Sequence, residues 1–353
     1  MVPLPWRNRF FSLFKKMDWA CFATANGQIV LGHGPFRAFA DCPAEGVAFY
    51  RNDFALQEEK PWLQPSRFEI VDSLSSVFPT GSAQEVQWQD PEAGLFAEVF
   101  REVMDRIRGG GLEKSVPVVT ETGVWEGTPA NWQDLPSRLA QDMRLFGWSD
   151  GDSGVLSATP EQLFHLKKGL LTTMALAGTA RSEERELFSV DEKEIREHEF
   201  VAQTLMAKLA DFGMVRRKDR QILDLGELIH FHTPIEVELY RTESPDTLVR
   251  RLHPTPALGP LPRTSETLAT LYDWRERLGC PKWFGAPFGL SIDGTFEALV
   301  GIRLTLWEGN QVQVPAGCGV IEPSRLVNEW RELRLKREAV KRVFGFLPQP
   351  LGN

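Results

Sequence analysis

The sequence predicts an α+β protein built on antiparallel strands, with long amphipathic helices set between them. Three observations carry that expectation. Short β-branched and aromatic runs bounded by Gly, Pro and Asp fill residues 19–71, an apolar pattern of helical period occupies 91–108, and a second such pattern follows a glycine-rich turn near 317–319. The 353 residues suffice for two average domains or one large one, and 42% hydrophobic content is enough for a sizeable core.

The first sixteen residues mix four basic side chains with Trp6, Phe10, Phe11, Leu13 and Phe14 and are expected to form a docked terminal helix. Their apolar stretch is too short and interrupted for a signal peptide. The runs CFATA, QIVLG, GVAFY and RFEIV then read as an antiparallel sheet, with His33 in a turn, where it fits either a backbone bond or a ligand contact and is assigned no role. Phe96, Val99, Phe100, Val103, Met104 and Ile107 share one face of the 91–108 helix, which stops at Gly109–Gly111. Lys114 stands at the mouth of the strand that follows. It reads either as a surface gatekeeper or as an amine whose partial desolvation would favour the free base.

Strands resume at RLFGW and GVLSATPEQLFHL, where Glu161 ends an apolar run and fits either a salt-bridged carboxylate or a proton donor raised by burial. After the strand LLTTMALAGTARS comes a helix, DEKEIREHEFVAQTLMAKLADFG, carrying Glu194 and Glu197 three residues apart; His198 points elsewhere on it and reads as structural. The later stretch around Asp293–Gly294 is a β-hairpin, and Arg303 is expected within an apolar strand, where a buried guanidinium needs a carboxylate or an anionic ligand. Gly317 and Gly319 bracket Cys318 in a turn suited to a carboxylate or phosphate. Ser324 is the expected N-cap of a helix over about 325–342, with Val327 on its apolar face and Glu329 and Glu332 repeating the three-residue spacing. Each carboxylate pair alone also fits a solvated face. Two such helices facing one another make a four-carboxylate cradle without soft ligands, which selects Mg²⁺ over zinc.

A formal charge of -8 and a pI near 5.5 argue against nucleic-acid binding by phosphate neutralisation. Four scattered cysteines, Cys21, Cys42, Cys280 and Cys318, without a CxxC pair fit a reduced, cytoplasmic protein. No apolar run reaches the ~18 residues of a membrane span.

HPTPALG at 253–259 with Pro262 and Arg263, LAGTARS at 176–182, EKEIREHE at 192–199, and GCGVIEPS followed by EWRE at 329–332 stand in this order along the chain. Together they resemble the chorismate-utilising enzymes, and among these the isochorismate synthases, over about residues 95–342. The resemblance implies a fold like that of anthranilate synthase component I: two antiparallel sheets packed together, with helices outside. A single chorismate-binding domain over 1–353 is expected, with 1–90 its less closely matched β-rich part. It also implies an Mg²⁺-dependent conversion of chorismate to isochorismate, in a menaquinone or siderophore pathway, with no glutaminase partner. Salicylate synthases share much of the site but lack HPTPA, and anthranilate synthases typically carry glutamine where Lys114 stands.

By the same resemblance Lys114 activates the water that attacks C2, and Glu161 protonates the departing C4 hydroxyl. Glu197 and Glu329 would hold the metal, with Glu194 and Glu332 as close or water-mediated ligands. Arg303 and the backbone at Gly317, Cys318 and Gly319 would clamp the enolpyruvyl carboxylate, while Thr179, His230 and Lys336 match other pocket positions. Two departures stand out. Phe284 replaces a tyrosine of the family pattern, and Thr159 replaces the serine before Pro160.

Overall fold

Among the described residues, seventeen strands join through antiparallel pairing into one continuous ladder. The computed structural model describes residues 18–78, 86–125 and 132–346, so the expected N-terminal helix lies outside the described residues. From one edge the ladder runs through Val86–Gln89, Val118–Trp125, Gln311–Gly317, Leu304–Glu308, Ser153–Thr159, Arg144–Asp150, Asp18–Ala23 and Ile29–Phe39. It continues through Trp62–Val71, Ala48–Arg51, Pro287–Ile292, Thr295–Val300, Gln162–Lys167, Leu170–Arg181 and Leu228–Leu239. Gly213–Arg217 and Gln221–Asp224 share the last edge. The expected two sheets are therefore two halves of one ladder folded face to face. Phe146 and Phe22 from one half stack on Phe288 from the other, with ring centroids 4.8 and 6.4 Å apart. Each such buried ring contributes about 1.5–3 kcal/mol through its area alone.

The helices form where the periodicity places them. Ala93–Arg108 buries the six apolar residues named above and packs through Phe96 on Trp330, with centroids 5.4 Å apart, in the helix Leu326–Val343. Asp191 caps Glu192–Leu209 by accepting the Glu194 amide at 3.0 Å, an interaction worth about 1 kcal/mol. That helix buries Glu194, Glu197, His198, Val201, Ala202, Leu205 and Leu209, so its two carboxylates continue the apolar stripe inward. His198 is structural as read, its Nε2 lying 2.8 Å from Thr233 Oγ1.

Four local expectations are corrected. His33 lies in a strand and meets the Glu69 carboxylate at 2.8 Å, because the Ile29–Phe39 run extends through the GHGPF glycines. Ser324 does not cap the last helix: its hydroxyl accepts the Ile321 amide, and Arg325 holds the cap position without a side-chain bond. Val327 faces solvent, being 78% exposed. Arg303 sits between two strands at φ 50°, a left-handed conformation that costs a non-glycine residue free energy and is found mainly where surrounding structure enforces it.

Candidate active site

The strand Leu170–Arg181, the two glutamate-bearing helices and the turn at 317–319 enclose a cavity of about 80 Å³ lined by Glu161, Thr179, Glu197, His230, Arg303, Gly317, Gly319 and Lys336 among others. Beside it, a wider recess of about 390 Å³ shares Thr179 and is lined by Lys193, Glu194, Glu329 and Glu332.

Glu161 is fully enclosed after the break at Pro160, its amide bonded to Thr159 Oγ1 at 3.2 Å and its Oε1 accepting from Thr255 Oγ1 at 2.9 Å. Burial pushes this carboxyl up to about 7, against the pull of the Thr255 bond and of Lys114 and Lys336. Of the two settings expected for it, the structure shows the apolar one: no salt-bridge partner lies on this carboxyl among the described residues. Lys114 has no exposed surface. Its backbone is fixed by pairing with Ile321 and by accepting the Leu261 amide at 2.9 Å, and its ammonium sits 3.1 Å from Glu197 Oε1 without forming a hydrogen bond of proper angle. The side chain stands just behind Gly319 and Glu197, where the reading as a surface gatekeeper fails.

Three of the four glutamates, Glu194, Glu197 and Glu329, gather around a cation to which the sequence assigned no role. The ammonium of Lys193 lies 2.8 Å from Glu194 Oε1, 3.3 Å from Glu329 Oε1 and 3.8 Å from Glu197 Oε2. Burial works against that charge, but Glu197, Glu332, Glu329 and Glu194 together hold it well above the ordinary lysine range. Glu194 and Glu329 are themselves raised, chiefly by burial. Glu332 is drawn aside to Lys336, 2.5 Å away, whose ammonium also donates to Gly317 O at 3.0 Å. With the side chains so placed, no three His, Cys, Asp or Glu groups among the described residues close to metal-ligand spacing. The donor set nevertheless fits a hard divalent cation: every donor is a carboxylate oxygen, an ammonium already occupies their midst, and Glu329 Oε2 is buried without a hydrogen-bond partner.

The glycines serve close approach. Neither Gly317 nor Gly319 has positive φ, but a Cβ on Gly319 would lie 1.9 Å from Glu197 Oε1. Gly178, which the sequence reading passed over, has φ 78° and lets the Thr179 amide donate to Glu194 Oε2 at 2.8 Å. Cys318 does not reach the cavity: its amide is bonded to Pro117 O at 3.3 Å and its thiol is buried with Phe96, Val320 and Leu333. The turn therefore contributes through Gly317 and Gly319 alone.

His230 and Arg303 form a directed pair. Gly178 O, 2.8 Å from His230 Nδ1, can only accept, so Nδ1 carries the proton. Nε2 is left to accept from Arg303 Nη2 at 3.0 Å. Burial and then Arg303 push the imidazole down to about 3, so it is neutral. Arg303 is itself lowered to about 10 by burial. Among the described residues it has no salt-bridged carboxylate, although the charge of Glu332 acts on it, and it lines the cavity.

A family model described as chorismate binding enzyme matches residues 56–345. The chain belongs to the chorismate-binding enzymes. One relative, the isochorismate synthase EntC of Escherichia coli K12, is 32% identical, with 96% of this chain and 95% of that protein aligned. The salicylate biosynthesis isochorismate synthase of Pseudomonas aeruginosa is also 32% identical, over 82% of this chain and 62% of its own length. The solved structure of the menaquinone-specific isochorismate synthase MenF from Escherichia coli superposes with a TM-score of 0.78 at 19% identity, covering 97% of this chain and 93% of MenF. Anthranilate synthase component I from Streptococcus pneumoniae gives 0.65 at 14%, covering 97% and 94%. These likenesses establish the fold of a chorismate-binding enzyme, as the sequence motifs implied. No described helix is long and apolar enough to cross a membrane.

Proposed function

We propose that this chorismate-binding enzyme is an Mg²⁺-dependent isochorismate synthase, converting chorismate to isochorismate by addition of water at C2 and loss of the C4 hydroxyl. The observation that carries the reading is a buried carboxyl raised by its surroundings, Glu161, on the wall of one small cavity that Arg303 also lines, with the buried ammonium of Lys114 just behind that wall beside Glu197 and Gly319. Addition with hydroxide loss across a conjugated ring needs a base at one carbon and an acid at another.

The substrate is a dianion, and the wall is built for it. Arg303, held by His230, faces one carboxylate with Gly317 and Lys336 beside it. Glu194, Glu197 and Glu329, with Glu332 nearby, would hold the cation. When bound, it offsets the charge of the other carboxylate and fixes the ring before reaction. Lys114, freed from Glu197, takes a proton from water at C2. Glu161 gives its proton to the oxygen leaving C4. Close packing by Phe284, Leu258 and Leu176 excludes bulk water. Incubation of the purified protein with chorismate and Mg²⁺, followed by chromatography, tests the reading. Isochorismate without pyruvate is expected. Pyruvate with salicylate would assign a lyase step to the same pocket, and unchanged chorismate would leave a binding protein.

A further inference from the structure

The HPTPALG segment marks the chain's family, yet no chemical role follows from the motif itself. In the fold this one loop touches both reacting groups. Leu261 bonds the backbone of Glu113 and Lys114, at 2.7 and 2.9 Å, and Thr255 donates its hydroxyl to Glu161 Oε1 at 2.9 Å. Thr255 is 4% exposed, and its carbonyl is tied into the loop by the amides of Leu258 and Gly259, at 2.9 and 2.7 Å. The hydroxyl is thus set by a rigid turn.

We propose that Thr255 is a positioning residue for the acid: by donating to Oε1 of Glu161 it keeps the acidic proton on Oε2 and stabilises the carboxylate formed when that proton leaves. This rests on the reading of Glu161 as the general acid. A carboxylic acid carries one proton. With Oε1 engaged as an acceptor, the proton resides on Oε2, the oxygen free to face a ligand. When it transfers to the departing hydroxyl, Glu161 becomes a buried anion, and a hydrogen bond to an ionised acceptor is about twice as strong as one to a neutral acceptor. The Thr255 bond therefore strengthens as the proton moves. Lys114 and Lys336 also favour the anion, while Arg303, His230 and Glu197 line the same cavity. None of these is hydrogen-bonded to Glu161, so Thr255 alone fixes which oxygen accepts.

Thr255→Val keeps the shape and removes the donor, and Thr255→Ser keeps the donor. The carboxyl band of Glu161 is followed against pH by difference infrared spectroscopy in ligand-free protein, with Glu161→Gln identifying the band. In wild type the carbonyl stretch is expected at a hydrogen-bonded frequency with a midpoint near about 7. In Thr255→Val it should move to higher frequency and titrate about one pH unit or more higher. The kcat should fall about 10-fold or more, and Thr255→Ser should restore both. A wild-type band at the free-carbonyl frequency overturns the proposal even if Thr255→Val does not fold. So does a Thr255→Val protein with unchanged band, midpoint and kcat. Full turnover by Glu161→Gln would instead remove the acid reading, leaving the hydrogen bond to be judged by the spectrum.

Discussion

Arg303 concentrates several costs in one residue: a left-handed backbone, a largely enclosed guanidinium and, as hydrogen-bond partner, a neutral imidazole in place of a salt-bridged carboxylate. Such a combination persists where the ligand supplies the missing charge. Arg303→Ala should therefore raise KM for chorismate by roughly 10²-fold, the scale of a lost charge-assisted hydrogen bond, with a smaller change in kcat. Equal losses in kcat alone, at unchanged KM, would place Arg303 away from the bound substrate. His230→Gln keeps an acceptor for Arg303 and should retain more affinity than His230→Phe, a comparison that steady-state kinetics settles. At this scale the sequence was only partly legible. The need of Arg303 for an anion followed from its apolar neighbours, but the histidine partner and its tautomer depend on Gly178, brought in by a neighbouring strand.

At the scale of elements, the two helices act as a pair because carboxylates occupy their buried stripes. Glu194 and Glu197 precede Val201 and Leu205 on one, and Glu329 precedes Leu333 on the other. That spacing was visible in the sequence. Lys193 was not, since its side chain answers carboxylates from both helices and only their docking brings these together. Gly319 has the same character: its lack of Cβ makes room for Glu197. Glu197→Gln and Gly319→Ala should each weaken Mg²⁺ binding in calorimetry by about 10-fold or more while the circular dichroism spectrum stays native, the first by removing a charge and the second by displacing it. Wild-type Mg²⁺ affinity in both variants would mean that Glu197 is not a ligand.

Across the whole molecule, strand identities were legible and strand partners were not. The alternating runs between 19 and 71 marked the strands, but Ala48–Arg51 pairs with Pro287–Ile292, and no local pattern announces a partner so distant in the chain. The folded ladder also buries carboxyls deeply enough to link stability to pH. Glu161, Glu194 and Glu329 are all raised above their ordinary range, chiefly by burial. A raised carboxyl binds more protons folded than unfolded between its two pKa values, so its contribution is complete below the unfolded value and is lost as pH climbs through the folded one. Buried histidines held neutral, His198, His230 and His253 among them, act in the opposite sense, so the carboxyl effect is read as a difference: metal-free wild type should lose melting temperature relative to Glu161→Gln as pH rises from about 5 to about 8, and Mg²⁺ should raise the wild-type value most at the upper end by binding the ionised glutamates. Parallel profiles of wild type and Glu161→Gln in chelator would show that the fold does not raise this carboxyl.

The proposed step, in which Lys114 activates a water molecule that adds at C2 while Glu161 releases the C4 oxygen, fixes where solvent oxygen must enter the product. It is tested most directly by turning over chorismate with the Mg²⁺-loaded protein in ¹⁸O-water and locating the label by mass spectrometry and NMR. Isochorismate should carry one solvent oxygen, at C2, and this labelled product should form about 10²–10⁴-fold more slowly in Lys114→Ala with chorismate binding retained. Isochorismate without solvent oxygen, or labelled product formed at the wild-type rate by Lys114→Ala, would contradict it.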